Sequence, residues 1–235
     1  YRKLNWPETP KKAGERNVGG ARGKAGYGSQ YVNGYCAQSR PNATYAAMVS
    51  RMDRDIGTLL DLLDELKLSD NTLVIFSSDN GPTPEGGQQL EFFNSSGELT
   101  GAKRSIYEGG IRIPFIARWP GKIEPSGVSD HPSAFWDFLP TVCDLIGTPS
   151  TEPIDGISYL PELFGDKEQP RHDYLYWQWR KREAVRVRKW KLHRTSGKFE
   201  LYDLENDCGE KNNLAGAMPE LVSEYQKYFS IAKGK

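Results

Sequence analysis

The segment from Asn71 to Pro82, N-T-L-V-I-F-S-S-D-N-G-P, joins an unbroken apolar run to a tight polar turn. Its apolar part, residues 72–77, is typical of a short buried strand. Before it, apolar residues recur every three or four positions from Tyr45 to Leu66, which is the period of a helix. A helix followed by a fully apolar strand predicts an α/β fold, with part of a mixed or parallel sheet flanked by helices.

Three further features extend this α/β pattern. Asn42 or Thr44 is predicted to cap the start of the long helix. A second apolar strand is predicted over residues 113–119. A further helix is predicted over residues 135–146, where Pro140 is compatible only with the first helical turn.

The sequence changes character after about residue 165. Four short segments rich in β-forming residues, separated by turns, predict an antiparallel meander, and a helix is predicted over residues 219–231. We therefore predict two parts. Residues 1–165 form the α/β part, irregular over 1–42, and residues 166–235 form a small C-terminal α+β subdomain with an antiparallel sheet and one helix.

The composition narrows the functional class. The chain has 31 Lys and Arg against 31 Asp and Glu, so its formal net charge of zero gives no basic footprint for nucleic acid. No apolar run approaches the roughly 18 residues of a membrane span. The three cysteines make no disulfide framework, although one pair remains open. The chain begins with tyrosine and has no signal-like stretch, so we expect a fragment or a processed chain.

The first candidate site follows the predicted strand. Asp79 and Asn80 come directly after it, at the edge of the sheet where ligands bind in open α/β folds. Their side chains offer two adjacent oxygen donors, which suit a hard cation such as Ca²⁺ or Mg²⁺. The alternative is an ordinary turn with solvated side chains, and for these residues alone it is the commoner arrangement.

The second candidate site is the segment from Gly101 to Pro114, G-A-K-R-S-I-Y-E-G-G-I-R-I-P. The Lys103 ammonium can contact an oxygen of an anionic ester, with Arg104 and Arg112 as further cations. Glu108, which precedes two glycines, can brace the loop through an ion pair. The alternative is a charged surface loop that leads into a strand.

Six segments, in the same order along the chain, resemble the sulfatase family of the alkaline phosphatase superfamily, and together they support the resemblance far more strongly than any one of them. They cover roughly residues 45–215. The segments are Y-A-A-M-V-S-R-M-D-R-D-I-G from Tyr45, N-T-L-V-I-F-S-S-D-N-G-P from Asn71, G-A-K-R-S-I-Y-E-G-G-I-R-I-P-F-I-A-R-W-P-G from Gly101, D-F-L-P-T-V-C-D-L-I-G from Asp137, D-G-I-S-Y-L-P-E-L-F-G from Asp155, and W-K-L followed by E-L-Y-D-L-E-N-D-C-G-E-K-N-N-L-A from Glu200.

The resemblance implies a role for each matching residue. Asp79 and Asn80 match the family's two late ligands of a divalent cation, usually Ca²⁺. Lys103 matches the lysine that contacts the sulfate. The C-terminal subdomain matches the small one that walls the substrate cleft. The segment that supports the lysine is matched by Glu108, Gly109, Gly110 and Arg112.

The family's nucleophile is a formylglycine hydrate made from Cys or Ser in C-x-P-S-R, and the resemblance places it in an N-terminal half outside this chain. Cys36 begins a near match, C-A-Q-S-R, in which Gln38 replaces the proline. Cys36 lies much closer to Asp79 than the family spacing allows, so we interpret it as a loop or core thiol and the match as chance. No catalytic role is assigned to the three histidines, His131, His172 and His193.

The function that the resemblance implies is hydrolysis of a sulfated sugar or an aryl sulfate by the whole protein, with this chain alone inactive. Two alternatives stay open. One is hydrolysis of a phosphodiester or phosphonate, as in the same superfamily, and the other is a non-catalytic fragment or degenerate module that binds a sulfated ligand. The family also implies a periplasmic, extracellular or lysosomal location, and the oligomeric state is left open.

Overall fold

The computed structural model describes residues 31–32, 35–36, 40–85, 87–149, 153–166 and 168–234. Its first elements are the two-residue strands β1 (Tyr31–Val32) and β2 (Tyr35–Cys36), which pair antiparallel. The irregular segment predicted over 1–42 falls mostly outside the described residues, and so does the side chain of Cys36. Both therefore stay predictions.

The long helix predicted from the apolar period is α1 (Pro41–Glu65). The predicted cap is wrong, because Asn42 and Thr44 lie inside the helix and no side chain caps its start. Proline opens the helix instead, at a position where its fixed φ and missing N–H are tolerated. The buried side chain of Asn42 accepts a hydrogen bond from the backbone N–H of Gln89 at 2.8 Å, so it ties the helix to a later loop.

Strands β3 (Val74–Ser77) and β4 (Phe115–Arg118) form the α/β sheet within the described residues. They pair antiparallel, with Phe76 opposite Ile116. The predicted α/β class is confirmed, and the antiparallel pair agrees with a mixed sheet rather than a purely parallel one. This pair positions the loops that leave the carboxyl end of β3.

Short helices lie in the connections around this sheet. Pro140 lies in the first turn of the helix Phe138–Leu145, which is the position that the sequence analysis predicted for it. No helix in the described ranges combines the length and apolar character that crossing a membrane requires. The short helices around the sheet are α2 (Leu90–Phe93), α3 (Glu108–Ile111), α4 (Phe138–Leu145) and α5 (Leu160–Leu163).

The C-terminal part is an antiparallel meander with the strand order β5-β6-β7-β8, followed by a helix, and the prediction of both is confirmed. The elements are β5 (Leu175–Trp179), β6 (Arg182–Val187), β7 (Trp190–Thr195), β8 (Lys198–Asp203) and α6 (Pro219–Lys233).

The two faces of the meander differ in chemistry, because successive residues of a strand point to opposite sides. The apolar face packs against α6 and is formed by Val185, Val187, Leu192 and Leu201. The opposite face, here called the ionic face, is formed by Lys191, His193, Glu200 and Tyr202. Lys191 and His193 are nevertheless buried, so this second face is also covered.

Candidate metal- and anion-binding site

The loop after β3 carries the two predicted metal ligands, Asp79 and Asn80. The hydroxyl of Ser78 donates a hydrogen bond to the carbonyl of Asn80 at 2.9 Å, and the Asn80 side-chain amide donates to the carbonyl of Gly81 at 2.9 Å. These bonds turn the chain directly after the strand. Asp79 is exposed and Asn80 is half-buried, so both are accessible from solvent.

Two backbone hydrogen bonds hold this loop against the segment that carries Lys103. The N–H of Gly81 donates to the carbonyl of Gly110 at 2.9 Å, and the N–H of Lys103 donates to the carbonyl of Pro82 at 2.8 Å. Two candidate sites that are separate in the sequence therefore meet at one place in the fold.

Glycines make this close approach possible. A Cβ atom on Gly81 would lie 2.0 Å from the carbonyl oxygen of Gly109, and a Cβ on Gly109 would lie 2.5 Å from the carbonyl oxygen of Gly101. Both distances are far inside van der Waals contact, so a side chain at Gly81 pushes the two loops apart, and one at Gly109 distorts the segment of Lys103 itself. The glycines after Glu108 are thus explained by the backbone contact.

The Lys103 ammonium has a carboxylate partner. Its Nζ lies 2.9 Å from Oε2 of Glu85, while Arg104 pairs with the other oxygen of the same carboxylate. The Lys103 side chain is 28% exposed, so the ion pair lies at the surface of the site rather than in its interior. Glu85 holds two cations side by side next to the loop of Asp79 and Asn80.

Glu108 at the start of α3 is buried, and its partner comes from the meander. Its Oε1 lies 2.7 Å from Nζ of Lys191, whose side chain has no exposed surface. The same ammonium lies 3.0 Å from Oε1 of Glu210. The other predicted support residue, Arg112, is exposed at the end of α3, where its backbone N–H donates to the carbonyl of Glu108 at 2.7 Å.

The electrostatics of this buried group are set by burial and by its own charges. Burial lowers the pKa of His193, although its hydrogen bond to Glu210 acts in the other direction. Burial alone raises the pKa of Glu210, but the hydrogen bond from His193 and the charge of Lys191 outweigh it and leave that pKa below its ordinary value. Since a carboxylate only accepts, the proton of the neutral imidazole lies on Nε2, which is 2.7 Å from Glu210 Oε1.

Sequence reasoning missed Glu85, Lys191 and Glu210. Glu85 gives no signal, because it is one acidic residue in an irregular loop. Lys191 does give one: in the strand segment W-K-L-H, the polar residues Lys191 and His193 alternate with apolar ones, which predicts a polar second face of the sheet. Nothing in that pattern says what covers the face.

The donor set is compatible with a hard cation but supplies only part of a site. Among the described residues, no three His, Cys, Asp or Glu side chains lie close enough together to hold a metal ion. Asp79 and Asn80 offer two oxygens, whereas Ca²⁺ takes six to eight. The two residues therefore fit the predicted role as part of a larger ligand set.

Fold and site together define an α/β protein with paired oxygen donors and a lysine at a sheet edge, beside a C-terminal meander. Comparison with known families agrees with this class. The sulfatase family model matches residues 9–148, and the model of the N-sulphoglucosamine sulphohydrolase C-terminal region matches residues 100–229. The chain belongs to the sulfatase family.

Individual relatives support the same assignment. The chain is 33% identical over 215 residues to N-acetylgalactosamine-6-O-sulfatase of Bacteroides thetaiotaomicron, covering 81% of the chain and 42% of the relative. It is 32% identical over 219 residues to human arylsulfatase A, covering 79% of the chain and 42% of the relative. The chain thus spans about two fifths of the length of these relatives.

A solved structure shows the same fold. It is a protein in complex with its substrate D-glucosamine-2-N,6-O-disulfate, which matches with a TM-score of 0.61 and 27% sequence identity. The match covers 79% of this chain and 40% of the solved one.

Proposed function

We propose that this chain is the part of a sulfatase that binds the sulfate group and a divalent cation, and that the whole protein hydrolyses a sulfate ester. The observation that carries the proposal is the backbone contact between the Lys103 segment and the loop of Asp79 and Asn80, made by the hydrogen bond from Lys103 N–H to the Pro82 carbonyl. This contact holds the backbone of Lys103 beside the loop of Asp79 and Asn80, and it supports a site in which an ammonium and two oxygen donors bind a tetrahedral anion beside a cation.

Asp79 and Asn80 would hold the cation, which we propose to be Ca²⁺, with Mg²⁺ as the alternative. Within the described part of the chain, no hydrogen bond or ion pair occupies the Asp79 carboxylate, so it is available as a ligand. A bound divalent cation supplies positive charge next to the sulfate oxygens. The remaining ligands would come from elsewhere in the whole protein.

Lys103 supplies the second positive charge. Its compact ammonium can donate to a sulfate oxygen, and Arg104 and Arg112 add positive potential around the entrance. The nucleophile is proposed to be a formylglycine outside the 235 residues, and this chain alone is proposed to be inactive. The side chain of Cys36 lies outside the described part of the chain, and Cys36 is not proposed as the nucleophile.

The substrate class is proposed to be a sulfated sugar, with an aryl sulfate as the second possibility. A relative named for N-acetylgalactosamine 6-sulfate and a solved structure with a sulfated glucosamine favour the sugar. The relatives' names also favour sulfate esters over phosphodiesters and phosphonates. A periplasmic, extracellular or lysosomal location is proposed from the family alone.

The test is the effect of Lys103→Ala on the complete gene product. With N-acetylgalactosamine 6-sulfate and an aryl sulfate as substrates, kcat/KM is expected to fall by about 10²- to 10³-fold, the usual cost of removing one donor to a developing anion. Lys122→Ala, which removes an exposed lysine from a turn, is the matched control and should leave kcat/KM unchanged.

Calcium binding provides the second arm of this test. Isothermal titration of the complete product should give one saturable Ca²⁺ site, which Asp79→Ala weakens. If wild-type protein neither releases sulfate nor binds Ca²⁺ saturably, the proposed function is wrong and the non-catalytic alternative is favoured.

A further inference from the structure

The ionic face of the meander carries a buried cluster of four side chains, here called the ionic cluster: Glu108, Lys191, His193 and Glu210. Lys191 is at its centre, with no exposed side-chain surface and with Nζ 2.7 Å from Glu108 and 3.0 Å from Glu210. His193 closes the cluster through its 2.7 Å contact with Glu210. Three of the four residues come from the meander and the loop after it, while Glu108 alone belongs to the candidate site.

The cluster fixes the backbone of Glu108 as well as its side chain. Oε2 of Glu210 accepts a hydrogen bond from the backbone N–H of Glu108 at 2.5 Å. The neighbouring Tyr107 is held in the same way, because its hydroxyl donates to the carboxylate of Glu200 on β8. The start of α3 is therefore attached at three points, two on the ionic face and one on the loop after β8.

From Glu108, an unbroken series of backbone contacts leads to the candidate site. Gly109 donates its N–H to the carbonyl of Thr100 at 2.8 Å, and Gly110 accepts from Gly81 at 2.9 Å. Gly81 directly follows Asn80. A displacement of Glu108 is thus transmitted to the loop of the oxygen donors without an intervening side chain.

Burial of the cluster is not explained by stability alone. A buried ion pair contributes little net stability compared with apolar residues of similar size, because desolvation offsets the attraction. The meander already has an apolar core on its α6 side. What the ionic cluster adds is a defined position for Glu108.

We propose that Lys191, Glu210 and His193 are positioning residues for sulfate ester hydrolysis. They act through Glu108 on the loop of Asp79 and Asn80 and on the segment of Lys103. The proposal rests on the proposed function for its catalytic consequence, but the positional effect can be measured without activity.

The first measurement is amide hydrogen exchange of the complete gene product. In Lys191→Met, the amides of Gly81 and Lys103 should exchange at least about tenfold faster than in wild type, because the loops they bridge lose their anchor. The matched control is Glu183→Gln, which removes a carboxylate from the opposite face of the same sheet, where Glu183 pairs with Arg194 and Lys233. It should leave both amides unchanged.

The second measurement is steady-state kinetics of the same variants. Lys191→Met should lower kcat and weaken Ca²⁺ binding by about 10- to 100-fold, the usual cost of losing a residue that orients a ligand. Lys191→Arg keeps the charge and should restore most of both, and Glu210→Gln provides a milder variant if Lys191→Met does not fold. Glu183→Gln should lower the melting temperature without changing kcat.

The outcomes separate the two proposals. Faster exchange at Gly81 and Lys103 in Lys191→Met, with a wild type that lacks sulfatase activity, would support the effect on the position of the loops and overturn the proposed function. If wild type is active and its Lys191→Met variant folds, keeps its kcat and protects both amides, the positioning role alone is overturned.

Discussion

The apolar and ionic faces of the meander belong to the same four strands but are built from opposite chemistry. On one face Leu192 and Leu201 are completely buried against α6, and on the other Lys191 is just as completely buried against α3. Burying an apolar side chain of this size contributes about 1.5–3 kcal/mol, whereas a buried ion pair is close to neutral. The comparison teaches that the apolar face stabilises the meander, whereas the ionic face fixes the position of α3.

The largest expected effect tests the apolar face. Phe229 of α6 has no exposed surface, so Phe229→Ala should lower the free energy of unfolding by about 3–5 kcal/mol, measured by urea denaturation. Ile231→Ala on the same helix is the control, because Ile231 is 44% exposed and its loss should change stability by no more than about 0.5 kcal/mol. Equal losses in both variants would contradict a core on this side.

A smaller effect is expected where the ionic face meets α3. Burial and the carboxylate of Glu200 raise the pKa of Tyr107 to about 12, so its hydroxyl stays a donor at neutral pH. Tyr107→Phe removes this donor and should lower the free energy of unfolding by about 1 kcal/mol. The loss is limited because Tyr202 also donates to Glu200, at 3.2 Å. The control is Tyr228→Phe on the α6 side, and a larger loss there than in Tyr107→Phe would break the comparison.

The smallest expected effect is the pH dependence of stability that His193 contributes on the ionic face. The lowered pKa of His193 means that the folded protein binds fewer protons than the unfolded chain below the ordinary value of 6.5. Stability is therefore fully present above pH 6.5 and is lost as pH falls towards the folded pKa. The lowered pKa of Glu210 adds a loss of the same sign below its ordinary value of 4.5.

Urea midpoints between pH 5 and 7.5 measure this dependence. His193→Gln keeps a donor for Glu210 but cannot titrate, so its midpoint should vary less with pH than that of wild type. His131→Gln is the comparison variant, because burial also lowers the pKa of His131 on a different part of the fold. If the urea midpoint of His193→Gln varies with pH as much as that of wild type, the pH dependence comes from groups other than His193.

The elements of the fold were predictable where a periodic pattern persists over many residues. The apolar period of α1 and the alternation in the meander each indicate the type of element, so helix, strands and α6 were found. The period of α1 did not predict burial, because Met48, Met52 and Leu59 are exposed. The cap of α1 was not, because Pro41 and an Asn42 engaged by Gln89 override the capping preference of an isolated helix. The boundary at about residue 165 stays a prediction.

The candidate site was only partly predictable for a related reason. Asp79, Asn80 and Lys103 stand out because local motifs carry them, although their roles stay proposals. Lys191 and Glu108 are separated by 83 positions, and no local pattern encodes a pairing over that distance. Glu108 was expected to need an ion-pair partner, but only the fold shows that the meander provides it.

If Lys103 contacts sulfate as proposed, its ion pair with Glu85 makes anion binding an exchange of partners. In the proposed site a sulfate group would approach an ammonium that already has a carboxylate partner at 2.9 Å, so binding would exchange one anionic partner for another. Its apparent affinity is reduced by the fraction of time that the internal carboxylate keeps its place. The proposed site would therefore favour an anion whose charge the proposed cation also attracts.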